Sequence, residues 1–220
     1  MPLRQRLLAE FLGTALLLAT VVGSGIMGVA LSRDNDGIAL LANAGATAAI
    51  LYVLIVALGP VWGAHFNPVV TLAARLDRSL GTRDAAAYIA LQLIGAAAGV
   101  LLAHAMFAQA LWQPGHHART GAGQWLSEAV ATFGLVLTIQ LGVRRRPGAV
   151  AALVACYIFA AYWFTASTSF ANPAVTIARS LTSSFSGIRP GDVPAFVAAQ
   201  CAGAASGWWV ARRLAEPPVA

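Results

Sequence analysis

The sequence predicts an all-α membrane protein with six transmembrane helices and two re-entrant half-helices, arranged as an inverted repeat. Three observations support this fold class. Hydrophobic residues make up 59% of the chain and charged residues only 10%, whereas a soluble domain has roughly 25% charged residues. Six apolar segments are long enough to cross a bilayer, which takes about 20 residues. Two short segments, each opened by Asn-Pro, lie in corresponding places of the two halves.

The six long apolar segments fall near residues 7–31, 38–60, 84–108, 124–142, 148–165 and 193–211. The first runs beyond the usual core of a signal peptide and lacks an obvious cleavage site, so we expect a retained helix. Glycines spaced G-x-x-x-G in the third segment (Gly95, Gly99) and the sixth (Gly203, Gly207) predict close helix packing, which we expect within the chain rather than at an oligomer contact. We expect one domain over residues 1–220, with repeats of about 1–110 and 120–214.

The two short segments, near residues 67–76 and 172–181, begin with the same pattern. They read Asn67-Pro68-Val69-Val70-Thr71 and Asn172-Pro173-Ala174-Val175-Thr176. Asn caps the first free N–H groups of a helix, and Pro at the first helical position lacks an N–H that would have no partner. The NH2 group of each Asn then remains as a donor. Paired half-helices of this kind predict a solute site in the middle of the membrane.

Two more landmarks recur in the same order in both halves. Glu10 corresponds to Glu128, and Gln92 corresponds to Gln200. Three spans per repeat is an odd number, so the second repeat must be inserted upside down. An ionisable group in a membrane segment is by default a functional hypothesis. The two carboxylates could carry protons, or they could accept N–H groups from irregular backbone before the half-helices, and we favour the second interpretation.

Arginine placement predicts cytoplasmic termini, because the inner side would then hold most of the arginines. The inner side would hold Arg4, Arg6, Arg75, Arg78, Arg83, Arg144, Arg145, Arg146, Arg212 and Arg213, and the outer side Arg33, Arg119, Arg179 and Arg189. A nucleic-acid-binding protein would instead gather its basic side chains on one solvated face. The net charge of +6 therefore indicates membrane topology, and we expect no nucleic-acid partner.

The duplicated N-P-[AV] motif resembles that of the aquaporin and glycerol-facilitator family, over nearly the whole chain. The resemblance implies an aquaporin-like homotetramer with one pore per subunit, and Glu10 and Glu128 as supports of the pore loops. It also implies the following pore residues. The two motifs supply Asn67, Pro68, Val69, Asn172, Pro173 and Ala174, and a ladder of backbone carbonyls comes from Gly63, Ala64, His65, Thr168, Ser169 and Phe170.

The narrowest part of the pore is where this sequence departs from most of the family. Counting from each Asn as the family does places the selectivity filter at Thr47, Ala160, Ser169 and Val175, where most members have Arg at the last position. None of the four is aromatic, His or charged. This filter resembles that of channels encoded in bacterial arsenic-resistance operons, whose second loop also reads N-P-A-V-T followed by an arginine one turn later, here Arg179. We expect Arg179 either to line the outer vestibule or to pair with a loop carbonyl or lipid headgroup.

That resemblance implies a multi-pass channel of the bacterial inner membrane that passes arsenous acid, a neutral triol near neutral pH. A water or glycerol channel is the nearer alternative, and a proton-coupled transporter using Glu10 and Glu128 is a remote one. His104, His116 and His117 have no convincing metal-ligand spacing, and no Ser–His or G-x-S-x-G pattern is present. We therefore expect no enzyme activity, no metal and no cofactor.

Overall fold

Eight α-helices make up the part of the chain that the structure, a computed structural model, describes: residues 1–215, apart from the side chain of Trp62. They are α1 (Leu3–Ser32), α2 (Asp36–Trp62), α3 (Pro68–Leu76), α4 (Thr82–Met106), α5 (Ala122–Arg145), α6 (Val150–Phe164), α7 (Pro173–Arg179) and α8 (Val193–Ala215). Single 3-10 turns precede α6 and α8. Both halves follow the order long, long, short, long, which confirms the predicted fold class.

Five helical segments within residues 1–215 are long and apolar enough to cross a membrane: α1, α2, α4, α5 and the segment Pro147–Phe164 that contains α6. The sixth long helix, α8, falls outside this group because Gln200 and several small residues lower the mean hydropathy of its sequence, and two arginines lie in its last turn. Its 23 residues still reach about 34 Å at 1.5 Å per residue. That length exceeds the roughly 30 Å hydrocarbon core of a bilayer.

The long helices pack in two equivalent sets. In the first half α1 lies against α2 and α4, and in the second half α5 lies against α6 and α8. A Cβ atom added at Gly99 would collide with the carbonyl oxygen of Ala15, and one added at Gly203 would collide with that of Ala129. The small-residue spacing therefore lets α4 approach α1, and α8 approach α5, within one chain, as the sequence predicted. Contacts between α2 and α6 join the two sets.

The half-helices α3 and α7 begin at the Pro of each motif. The Asn67 Oδ1 atom accepts from the N–H of Val69 at 3.1 Å, and the Asn172 Oδ1 atom accepts from the N–H of Ala174 at 2.9 Å. The helices have nine and seven residues, which correspond to about 13 Å and 10 Å, too short to cross a bilayer. Both pack against α4 and α8, so the last helix of each repeat holds both half-helices.

Candidate pore

A cavity of about 1060 Å³ is lined by both pore loops and by both half-helices. Its lining includes Asp77 and Arg78 at the C-terminal end of α3 and Arg179 at the C-terminal end of α7. Between these ends lie both motif asparagines and an apolar wall from the long helices. The wall comprises Leu17, Val21, Leu51, Ile55, Leu135, Ile139, Val150, Val154 and Ile158. Between its charged ends the cavity thus combines a strip of backbone and amide groups with an apolar wall.

The two asparagines bind the pore loops to each other. The Asn67 Nδ2 atom donates to the carbonyl oxygen of Ala171, and the Asn172 Nδ2 atom donates to the carbonyl oxygen of Phe66, each at 2.8 Å. Each NH2 group has two hydrogens, so one donor per asparagine remains after this reciprocal pairing. The N-terminal ends of α3 and α7 therefore meet inside the protein, with their positive dipole ends together.

The loops before the two asparagines have the same backbone conformation. The positions four, three and one before each Asn all have positive φ: Gly63, Ala64 and Phe66 in the first loop, and Thr168, Ser169 and Ala171 in the second. Left-handed backbone is uncommon for residues other than glycine, and such conformations persist only where surrounding contacts impose them. The repeat is thus preserved in backbone dihedral angles as well as in sequence.

Glu128 supplies those contacts in the second loop. Its carboxylate accepts from the N–H groups of Phe170 and Ala171, each at 2.9 Å, and from the Gln200 side chain at 2.5 Å. The same Gln200 amide donates to the Thr176 hydroxyl at 2.7 Å. A fully buried carboxylate with three donors satisfies backbone N–H groups that have no partner in a helix.

Glu10 makes the equivalent network in the first loop. It accepts from the N–H groups of His65 and Phe66, each at 2.8 Å, and from Gln92 at 2.7 Å. Gln92 also donates to the Thr71 hydroxyl at 2.9 Å. Neither Glu10 nor Glu128 is among the described residues that line the cavity.

The residues proposed to expose pore carbonyls are placed unequally. Gly63, Ala64 and His65 of the first loop line the cavity, as do Ser169 and Phe170 of the second, whereas Thr168 is not among the described lining residues. The His65 Nδ1 atom lies 3.1 Å from the Thr71 hydroxyl oxygen, so its ring is held in place beside the cavity. No group of three or more His, Cys, Asp or Glu side chains within residues 1–215 is placed to hold a metal ion.

The filter positions counted from the motifs need one correction. Thr47, Ser169 and Val175 line the cavity, but Ala160 does not, and it is exposed on the outer face of α6. The cavity side of α6 carries Tyr162 instead. Successive residues of an α-helix are about 100° apart, so positions 160 and 162 point in nearly opposite directions. The Tyr162 hydroxyl donates to the Thr47 hydroxyl at 3.2 Å.

Arg179 combines two of the placements expected for it. It lines the cavity while being only 2% exposed, and its Nε atom donates to the carbonyl oxygen of Ser186. Its guanidinium carbon lies 3.4 Å from the centre of the Phe170 ring. The side chain is therefore fixed between a loop carbonyl and an aromatic face, in a cation–π arrangement.

Arg119, in the loop between α4 and α5, is a residue that the sequence did not identify. Its guanidinium lies 5.0 Å from the centre of the Phe170 ring and donates to the carbonyl oxygen of Gly187 at 2.9 Å. Its backbone N–H donates to Asp192 at 2.8 Å. The loop has no helical or strand periodicity that would have indicated this contact.

The sequence of this chain is similar to a family model and to two proteins that are named as channels. The family model described as "Major intrinsic protein" matches residues 1–164. The chain is 56% identical over 215 residues to "Aquaglyceroporin AqpS" of Rhizobium meliloti (strain 1021), covering 98% of this chain and 92% of that protein. It is 32% identical over 244 residues to "Probable aquaporin AqpM" of Archaeoglobus fulgidus, covering 98% and 99%.

A solved structure shares the fold. The X-ray structure of the aquaglyceroporin from Plasmodium falciparum superimposes with a TM-score of 0.72, covering 96% of this chain and 95% of that chain. The sequence identity of that pair is 17%, so the likeness concerns the arrangement of helices alone.

Proposed function

The chain belongs to the major intrinsic protein family of passive membrane channels, and we propose that it carries small uncharged solutes, chiefly arsenous acid and related metalloid acids. Water and glycerol are expected to permeate as well. The observation that carries the proposal is the outer part of the cavity, where Val175 stands in place of the arginine found in most of the family. An apolar residue there leaves room for a solute larger than water.

The chemistry of the cavity favours neutral polyhydroxy solutes. Such a solute can bind the strip of carbonyl and amide groups on one side and leave its other side against the apolar wall, whereas a hydrated ion would lose water without compensation. The positive ends of two helix dipoles meet at Asn67 and Asn172, and they oppose a cation. Arsenous acid, with three hydroxyl groups and no charge, fits this description as glycerol does.

The two buried carboxylates support a channel more than a proton-coupled transporter. A carrier must take up and release a proton in each cycle, but Glu10 and Glu128 each accept three hydrogen bonds from N–H donors. Protonation would place a hydroxyl against those donors and cost hydrogen bonds to a charged group, each worth about 1.5–3 kcal/mol. We assign both residues the role of supporting the pore loops.

We further propose a bacterial inner-membrane location with both termini cytoplasmic, one domain made of two inverted repeats, and a homotetramer with one pore per subunit. Arginines cluster at the cytoplasmic ends under this orientation, as the positive-inside tendency requires. Large apolar side chains such as Leu16, Val53, Ile94 and Trp209 are exposed on the flanks of the helices. Lipid and neighbouring subunits would cover them.

The solute assignment is tested with purified protein in liposomes, using imposed gradients of arsenous acid, glycerol and water. We expect downhill flux of all three above the level of empty liposomes, and no accumulation of arsenous acid when a pH gradient is imposed. Flux of glycerol without arsenous acid would favour the glycerol-channel alternative. Accumulation driven by the pH gradient would contradict a passive channel.

Val175→Arg should reduce the flux of bulky solutes such as methylated arsenicals at least tenfold more than it reduces water flux. The arginine side chain is longer and would fill the widened part of the pore. Its charge also adds a barrier to cations of about 3 kcal/mol at 5 Å and an effective dielectric constant of 20. The measurement is the ratio of solute to water permeability in liposomes.

Val175→Met is the matched control for that change, because it lengthens the side chain without adding charge. It should reduce bulky solutes moderately and leave cation exclusion unaltered. If Val175→Arg reduced water and bulky solutes equally, or neither, Val175 would not border the route that bulky solutes take.

A further inference from the structure

The end of the cavity beyond Val175 contains a buried arginine, Arg179. Arg179 lies one helical turn further along α7, lines the cavity, and is held by the Ser186 carbonyl and the Phe170 ring. These contacts use its Nε atom and one face of its guanidinium group. They do not use its two terminal nitrogens.

The terminal nitrogens of Arg179 are available to a molecule in the cavity. Among residues 1–215 the ion pairs join Arg6 to Asp84, Arg144 to Asp77 and Arg189 to Asp192, and none includes Arg179. The hydrogen bonds of the Arg179 guanidinium within the same range are confined to Nε. Four N–H donors therefore remain without a protein hydrogen-bond partner at the cavity wall, and the protein contact of the charge is the Phe170 ring.

Two hydroxyl groups line the same cavity. Tyr162 and Thr47 are 3% and 4% exposed, and the Tyr162 hydroxyl donates to the Thr47 oxygen. Arg179 also interacts electrostatically with Arg119, Tyr162 and Glu128. Because Tyr162 gives its hydrogen to Thr47, the hydroxyl hydrogen of Thr47 and the lone pairs of the Tyr162 oxygen remain for a solute.

A further unpaired polar atom lies beside this group. The Oγ atom of Ser169 is buried and has no hydrogen-bond partner among the described residues, and Ser169 lines the cavity. Ser169 precedes Phe170, the ring on which Arg179 rests. Buried polar atoms in proteins are nearly always hydrogen-bonded to protein or water. Because this oxygen has almost no accessible surface, it lies behind the cavity wall and is not placed to contact a solute.

We propose that Arg179, Tyr162 and Thr47 form the solute-selecting constriction of this channel, one helical turn outward from Val175. Arg179 and Thr47 donate to the solute, Tyr162 accepts from it, and the charge of Arg179 excludes cations. The ligand class is a compact neutral molecule with several hydroxyl groups. The assignment rests on the proposed channel function and names the residues that select its solutes.

The charge is tested with Arg179→Met in liposomes, by measuring the leak of potassium ions together with water permeability. The leak should rise at least tenfold with water flux retained, because a unit charge about 5 Å away, at an effective dielectric constant near 20, alters cation occupancy by about a hundredfold or more. Arg119→Met is the matched control. Arg119 contacts the same Phe170 ring but is not among the described cavity-lining residues, so its loss should alter the leak less than threefold.

Transferring the positive charge from position 179 to position 175 distinguishes a loss of cation exclusion caused by the missing charge from one caused by misfolding. The double variant Val175→Arg/Arg179→Met should regain cation exclusion to within about threefold of the parent, because it restores a positive charge to the pore one helical turn away. If Arg179→Met melted like the parent and still excluded potassium, the assignment would be wrong. Should Arg179→Met fail to fold, Arg179→Lys takes its place. Lysine keeps the charge without the fork of donors, so unchanged glycerol flux in that variant would also overturn the assignment.

The hydroxyl pair is tested with Tyr162→Phe, against Tyr157→Phe in the same helix. The Tyr157 hydroxyl bonds to the carbonyl oxygen of Ala131 at 3.0 Å, and Tyr157 is not among the described lining residues. The ratio of glycerol to water flux should fall about fivefold in Tyr162→Phe, the effect of one ordinary hydrogen bond, and stay constant in Tyr157→Phe. Equal ratios in both variants would refute the role of Tyr162. A parent protein that carries neither solute would instead refute the channel proposal itself.

Discussion

Asn172→Asp should lower solute flux at least tenfold and increase the leak of cations. The Nδ2 atom of Asn172 donates to the carbonyl oxygen of Phe66 at 2.8 Å, and an aspartate would place an acceptor against that acceptor. A buried polar group left without its partner costs about 1–3 kcal/mol, and 1.4 kcal/mol is about a factor of ten. The added negative charge would also attract cations where two helix dipoles otherwise oppose them.

Asn35→Asp is the control for this substitution. Asn35 also caps a helix, α2, but its side chain only accepts, from the N–H of Ile38 at 3.1 Å. Aspartate caps as well as asparagine does, so flux should be unaffected there. Solute flux and cation exclusion equal to those of the parent in Asn172→Asp, at equal membrane abundance, would contradict the pore model.

Glu128→Gln should destabilise the protein by about 3 kcal/mol, since hydrogen bonds to a charged group are worth about 1.5–3 kcal/mol each. The glutamine would turn an NH2 group towards the N–H donors that the carboxylate accepts from, leaving at least one of them unpaired in the membrane. A loss of that size corresponds to a melting temperature about 6–12 °C lower for a chain of this length. Thermal unfolding in detergent is the measurement, with residual solute flux recorded in liposomes.

Ser127→Ala provides the comparison for that variant. The Ser127 hydroxyl accepts from the N–H of Ala166, near the same loop, at an exposed position. Its loss should cost less than about 1 kcal/mol, because water can replace the partner. A Glu128→Gln protein as stable as the parent would show that the carboxylate does not support the loop.

The features that could be predicted from sequence are those that depend on local rules. Asn67 and Asn172 before Pro predicted where α3 and α7 begin, since capping needs only neighbouring residues. Glu10 and Glu128 were recognisable because an ionisable side chain in an apolar membrane segment is costly unless polar partners compensate it. The Asn-Pro cap and the carboxylate in an apolar segment are each recognisable from a few neighbouring residues, and each recurs in the second repeat.

The features that could not be predicted depend on distances across the fold. Ala160 was reached by counting residues back from Asn172 at the family's usual spacing, but α6 ends at Phe164 and a turn follows. A difference of two residues rotates the chosen side chain by about 200°. The sequence does carry a pattern that indicates the cavity side of α6. Val150, Val154, Ile158 and Tyr162 are spaced four residues apart and so share one face of the helix, and Tyr162 has a hydroxyl group.

The reciprocal pairing of the two pore loops has a consequence for biogenesis. The Asn67 side chain finds its acceptor at Ala171, which lies 104 positions later in the chain. A ribosome adds about 5–20 residues per second, so roughly 5–20 s pass between the synthesis of Asn67 and that of its acceptor, Ala171. During that interval the amide group of Asn67 must bind water or the insertion machinery, because lipid offers no acceptor. The pore loops therefore cannot pair until the second loop has been synthesised, and a chain that stops after α4 lacks the acceptor at Ala171.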